Sequence, residues 1–181
     1  MLQSARLTLR EIQPTDLDDI HALLSLPETD FYNALGIPES IEVSRGYMDR
    51  WIHHQKEDPR TIYAFLISEK ESGKFIGLTG LTLGKPKYRK AEVWYKIHVD
   101  HWGNGYATEV CKRLIDFGFN EIGLHRLEAG CAIQNKASVR VMEKAGMTLE
   151  GINKQLLPHQ GGWLDCYMYA IIADDEILHS G

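Results

Sequence analysis

Apolar and polar side chains alternate from Arg6 to Arg10, with Leu7 and Leu9 on one face, which predicts a short strand at the start of the chain. Pro14 and the run Thr15-Asp16-Leu17-Asp18 read as a helix start with a Thr-x-x-Asp capping pattern, and Leu17, Ile20 and Leu24 share one face of a helix over 15–25. A second stripe, Met48, Trp51, Ile52 and Gln55, predicts a helix over 40–56. Between the two, Pro27, Asn33, Gly36 and Pro38 mark an irregular connection that fits a plain loop or the border of a binding cleft equally well. Strand-like runs over 61–69, 74–83 and 92–99 follow, separated by Ser72-Gly73 and a basic loop, and form a meander.

From His101 the period changes. Helices over 105–120 and 135–145 alternate with strands over 126–133, 147–153 and 164–172. A helix joining two strands makes a right-handed parallel crossover, so the strand ending at Val99 and the strand starting at Arg126 are expected as parallel partners. The fold class is α+β (mixed α/β), with a mixed sheet that is antiparallel at its start and parallel in the middle.

Composition narrows the function classes. The 181 residues, 44% hydrophobic and 25% charged, suit one domain over 1–181. A net charge of -5 disfavours nucleic acid, which calls for a basic face. The basic run from Gly84 to Ala91 sits around a proline between strands and reads as a solvated hairpin loop. Charges interrupt the first residues where a signal peptide would be apolar, and no run approaches about 18 apolar residues, so a cytoplasmic protein without a membrane partner is expected. Cys111, Cys131 and Cys166 lie far apart in apolar surroundings, which suggests buried free thiols and no metal site.

The stretch Gly103-Asn104-Gly105 precedes a helix in which Ala107, Val110, Cys111, Leu114 and Phe117 recur at three- and four-residue spacing. The turn therefore lies at the carboxyl end of a strand and the amino end of a packed helix. There the first N–H groups lack helical partners and the dipole favours an anion. Glycines at 103 and 105 permit unusual dihedrals and remove side chains that would hold a phosphate away. A Gly-x-Gly is by itself also compatible with a tight turn. The third glycine of the dinucleotide fingerprint and the Gly-Lys-Ser/Thr of the nucleoside-triphosphate loop are both missing. Further along, Asn135 is a natural N-cap and Gly146 a helix stop. Ser138 lies on the apolar face with Val141, Met142 and Ala145, where its hydroxyl either bonds back to the helix or serves a buried ligand as a proton donor.

Four motifs in this order carry a resemblance: Glu92-Val93-Trp94-Tyr95, Trp102-Gly103-Asn104-Gly105-Tyr106-Ala107-Thr108-Glu109, Asn135-Lys136-Ala137-Ser138 and Glu143-Lys144-Ala145-Gly146-Met147. The segment from Glu92 to Met147 resembles the GCN5-related N-acetyltransferase (GNAT) superfamily, and within it the branch similar to ribosomal-protein N-terminal acetyltransferases of the RimJ/RimL type. The likeness is diffuse before residue 60. Trp102 stands where the family carries Arg or Gln, which puts a side-chain contact from that position in doubt.

The resemblance implies a three-layer fold with a central six- to seven-stranded sheet, helices on both faces and splayed central parallel strands. It implies acetyl-CoA as donor, with its pantetheine arm along the edge of Ile97, His98 and Val99 and its pyrophosphate on the N–H groups of Gly103, Asn104, Gly105, Tyr106, Ala107 and Thr108. Asn135 and Ser138 would face it, Ser138 protonating the leaving thiolate, while an amine attacks directly and backbone N–H groups meet the oxyanion. An α-amine with pKa near 8 needs about 1.4 kcal/mol to be neutral at pH 7 and a lysine near 10.4 about 4.6, so a modest base serves an α-amine. Glu92 is the carboxylate chosen for it, directly or through water, with His98, Tyr167 and His159 in reserve. The expected acceptor is a protein or peptide α-amine. The alternatives are a small-molecule amine or antibiotic, or a CoA-binding sensor without turnover, in a monomer or homodimer.

Overall fold

In the computed structural model, which describes residues 1–33 and 35–173, the alternation at the start becomes strand β2 (Leu7–Glu11), with Leu7 and Leu9 wholly buried. A two-residue strand, β1 (Leu2–Gln3), pairs with it from outside. The next elements are α1 (Leu17–Leu24), α2 (Pro27–Asp30), α3 (Ile41–His54), β3 (Ile62–Glu69) and β4 (Phe75–Leu83). They continue with β5 (Lys90–Ile97), α4 (Tyr106–Asp116), β6 (Arg126–Ala132), α5 (Lys136–Lys144), β7 (Thr148–His159) and β8 (Gly162–Ile172). The sheet has eight strands in the order β1-β2-β3-β4-β5-β6-β8-β7, one more than the largest number expected because β1 adds to the edge. Among the described residues only β5 and β6 run parallel, as the crossover through α4 requires.

Two apolar layers hold helices to opposite faces. Ile20, Leu23 and Leu24 of α1 and Met48 of α3 pack on Ala64, Leu66 and Leu78. Val110, Cys111 and Leu114 of α4 and Met142 of α5 pack on Phe65, Ile67, Val93 and Leu127. Successive β5 residues alternate between these faces. Ala91, Val93 and Ile97 face α4, while Trp94 joins the α1 and α3 side, where it stacks on Trp51 with ring centroids 5.8 Å apart.

Local differences from the sequence reading have local causes. Pro14–Asp16 forms a 3-10 turn and α1 starts at Leu17, because Asp16 rather than Thr15 organises the start: its carboxylate accepts the Gln13 N–H at 2.8 Å and pairs with Arg10 at 2.7 Å. The irregular connection contains the one-turn α2, begun by Pro27. The helix after Gly105 passes at Phe117 into a π turn reaching Glu121, with Ile122 N–H on the Phe117 carbonyl at 3.1 Å. The run read as strand to Val99 ends at Ile97, and Val99–His101 is a 3-10 turn in which His98 Nδ1 accepts the Asp100 N–H at 3.3 Å. The two last strands form a longer hairpin than expected, turning at Gln160 and Gly161, both of positive φ.

Candidate active site

The parallel pairing of β5 with β6 stops after Lys90–Arg126, Ala91–Leu127 and Glu92–Glu128, although both strands run on. A cavity of about 970 Å³ opens there, lined by Tyr95, Lys96 and Ile97 of β5, by the turn into α4, by the first turns of α5 and by the α2 segment. The β5–β4 ladder fixes which backbone groups face it. Gly84 N–H bonds the Lys90 carbonyl at 2.9 Å and His98 N–H the Ile76 carbonyl at 2.9 Å, so even-numbered residues of β5 spend their backbone groups on β4 and odd-numbered ones turn theirs to the gap.

This alternation corrects the expected cofactor edge. Ile97 faces the gap, but His98 bonds away from it and Val99 belongs to the turn, and neither lines the cavity. The backbone facing the gap is that of Tyr95 and Ile97. Trp102, the departure from the family pattern, uses its indole N–H to hold the Ile97 carbonyl at 2.8 Å.

At the turn, Gly103 and Gly105 both have φ of +78°, and Gly105 is the N-cap of α4. A Cβ at Gly103 would meet nothing within 4 Å, and one at Gly105 only Arg6 Nη2 at 3.6 Å, so backbone conformation rather than space calls for glycine. Gly103, Gly105, Tyr106, Ala107 and Thr108 line the cavity, and the N–H groups of Tyr106, Ala107 and Thr108 precede the first helical donor, Glu109, which bonds the Gly105 carbonyl at 3.1 Å. Asn104 does not line it. Its amide folds back on the His101 and Trp102 carbonyls at 3.2 and 3.4 Å, and its own carbonyl accepts from Arg6 at 3.0 Å. The Tyr106 phenol likewise points away, donating to Glu69 at 2.9 Å.

Across the cavity Asn135 caps α5, its side-chain oxygen accepting the Ser138 N–H at 3.1 Å. Ser138 lines the cavity together with Tyr95, which sequence reasoning passed over as an apolar strand residue. Burial pushes the Tyr95 phenol far above its usual pKa, against the opposing influence of Ser138, so the phenol stays neutral in the cavity. Lys136, Arg140 and Lys144, one face of α5 at four-residue spacing, also line the cavity as a basic row.

The acceptor-side residues are less as expected. Glu92 shares the α1–α3 face but is exposed, sits where β5 still pairs with β6 opposite Glu128, and is not among the lining residues. Neighbouring protein atoms and then Glu128 raise its pKa even though solvent reaches the carboxylate. Four residues further, Lys96 is buried against Asp30 of α2, Nζ to Oδ1 at 3.9 Å, and burial lowers its pKa against the pull of Asp30. Of the reserves, His98 lines a separate shallow pocket and Tyr167 lies near Lys136, 6.0 Å from ring centre to Nζ. His159 packs its ring on Phe31 at 4.8 Å and lies over Tyr32 at 6.2 Å, which joins the hairpin tip to the segment after α2 that lines the cavity. Burial pushes Cys111 up to about 12 and Cys131 up to about 11, which suits inert thiols rather than an acyl-carrying nucleophile. Among the described residues no group of side chains could hold a metal ion.

A splayed parallel pair flanked by a helix N-terminus is the architecture of a GNAT acetyltransferase, and residues 6–148 match the acetyltransferase (GNAT) domain. The chain belongs to that family and is an acetyltransferase, and acetyl-CoA is the acetyl donor in that family. Among its relatives, the uncharacterized N-acetyltransferase YoaA of Bacillus subtilis is 32% identical over 178 residues, covering 97% of this chain and 98% of its own. The putative ribosomal N-acetyltransferase YdaF of the same organism is 27% identical, with 92% and 91% covered. The crystal structure of spermidine N-acetyltransferase from Vibrio cholerae, in complex with CoA and spermine, superposes with a TM-score of 0.85 at 24% identity, covering 96% of this chain and 99% of that one.

Proposed function

We propose that the protein acetylates the α-amine of a peptide or protein, taking the acetyl group from acetyl-CoA in the cleft between β5 and β6. The observation that carries this is the coincidence at one cavity of an odd-residue β5 edge that has parted from β6, the positive-φ glycine turn into α4, and the hydroxyls of Ser138 and Tyr95. The donor supplies an activated thioester. The Tyr95 and Ile97 backbone lies along its arm, the N–H groups of Tyr106, Ala107 and Thr108 meet its pyrophosphate, and Lys136, Arg140 and Lys144 offer charge to its outer phosphate. Ser138, with Tyr95 beside it, holds the proton for the departing sulfur, and Glu92 helps relay the proton of the amine through water. An α-amine suits so modest a base, and the likeness to YdaF supports this acceptor. Three free cysteines suit the reducing cytoplasm as its workplace.

A second reading has its own observation. Glu28 beside the aromatic rings of Phe31 and Tyr32 lines the acceptor wall and suits a cationic small amine, such as the polyamines named for the Vibrio enzyme. Incubation with acetyl-CoA and separate alanyl peptides, spermidine and aminoglycosides, with thiol release as readout, separates these readings. Release with peptides above the others supports the first, release with spermidine the second. Binding of acetyl-CoA without release for any acceptor supports a CoA sensor.

A further inference from the structure

Two buried side-chain atoms in the described residues have no hydrogen-bond partner, and both belong to one pair at the cleft: Lys96 Nζ and Asp30 Oδ1. Buried polar groups are nearly always satisfied, and the exceptions concentrate where a ligand or a reaction completes them. Lys96 occupies the last even position of β5, between the two residues whose backbone faces the gap, and lines the cavity with a side chain only 7% exposed. Its side chain lies on the α1–α3 face, the side of Phe31, Tyr32 and the acceptor wall.

We propose that Lys96 is the catalytic base that takes the proton from the acceptor ammonium, with Asp30 stabilising the lysine once it is protonated. A buried lysine with no hydrogen-bond partner and its nearest carboxylate oxygen at 3.9 Å, beyond hydrogen-bond length, gives up its proton more readily than an exposed lysine. The lowered pKa agrees with this. Other ionisable groups around this part of the cavity are Glu28 of α2, Tyr32 after it, Tyr95 on the same strand and His101 of the turn, with the basic row of α5 across from them. The contact between Lys96 and the acceptor forms in the ternary complex, where catalytic hydrogen bonds tighten. The ammonium of the acceptor passes one proton to Lys96, its freed lone pair attacks the acetyl carbonyl carbon, and the carbon–sulfur bond breaks. The sulfur leaves with a proton from Ser138, the nitrogen of the new amide gives its second proton to Ser138 to restore the hydroxyl, and Lys96 later returns its own to water. Glu92 lies about 13 Å further along the strand and keeps at most a relay role. The proposal rests on the reading of this cavity as the transfer site.

Lys96→Met and Lys96→Arg, assayed with acetyl-CoA and either an alanyl peptide or spermidine, whichever releases more thiol, test it. Both Lys96 variants should lose about 100-fold in kcat, the contribution of a positioned base, with calorimetric acetyl-CoA affinity and melting temperature retained. Arginine cannot give up its proton, so activity kept in Lys96→Arg overturns the base role and leaves only a charge anchor. The acidic limb of the wild-type kcat/KM profile should also lose the Lys96 component in Lys96→Met. A measurement independent of the acceptor is NMR titration of lysine side chains, with Lys96 assigned by its loss in Lys96→Arg. Titration below the ordinary value of about 10.4 supports the proposal, and titration at or above it overturns it. If neither amine releases thiol, the acceptor reading fails while the titration still decides on Lys96.

Discussion

At Gly105 the backbone adopts φ of +78°, which a β-branched residue occupies only at a cost of about 1–2 kcal/mol. Gly105→Val should therefore weaken acetyl-CoA binding by at least about tenfold in calorimetry while the circular dichroism of the fold persists; unchanged affinity contradicts the anion role of the turn. Ser138→Ala should lower kcat by about 100-fold with little change in the KM for acetyl-CoA, and an unaltered turnover number would remove its acid role. The glycines and Ser138 were legible because each breaks a local pattern. Lys96 was not, since a lysine alternating with apolar residues reads as a solvated position, and its burial comes from α2 folding over it from more than sixty residues away in sequence.

Among elements, the join between the N-terminal strands and α4 steadies the turn. Arg6 donates Nε to Glu109 at 2.8 Å and Nη1 to the Asn104 carbonyl at 3.0 Å, and Ser4 and the Arg6 backbone N–H each reach Glu109 at 2.7 Å. Arg6 is half exposed, so its removal is worth about 1 kcal/mol: Arg6→Ala should raise the KM for acetyl-CoA about fivefold and leave kcat in place. Burial pushes the Glu109 pKa up, but the hydrogen bonds from the Arg6 backbone, Ser4 and the Arg6 side chain outweigh it and leave the carboxyl below its usual range. A depressed carboxylate contributes stability above its unfolded pKa, about 4.3, and loses it as pH falls through the folded value. The melting temperature should drop in that acid window, and Glu109→Gln should flatten the drop. Helices α1, α3, α4 and α5 were legible from their stripes. The end of β5 was not, because a short-range turn held by His98 and Trp102 stops a run whose residues still look like strand.

For the whole molecule, the parallel β5–β6 pair and the mixed sheet followed from the order of elements, since a crossover leaves one handed solution. The place of β8 between β6 and β7 did not follow, because it depends on a hairpin whose turn at Gln160 and Gly161 lies inside what read as a loop. That hairpin brings His159 onto Phe31, a residue of the cavity lining, and so joins residues more than 120 positions apart. The central claim is that this one cleft binds acetyl-CoA through the glycine turn and transfers its acetyl group to an amine. The most direct test is thiol release from acetyl-CoA with an alanyl peptide or spermidine, run in parallel for the wild type and Gly105→Val. Amine-dependent release by the wild type, with a raised KM for acetyl-CoA in the variant, is the predicted result. Release that is independent of amine, or equal KM values in both proteins, would contradict it.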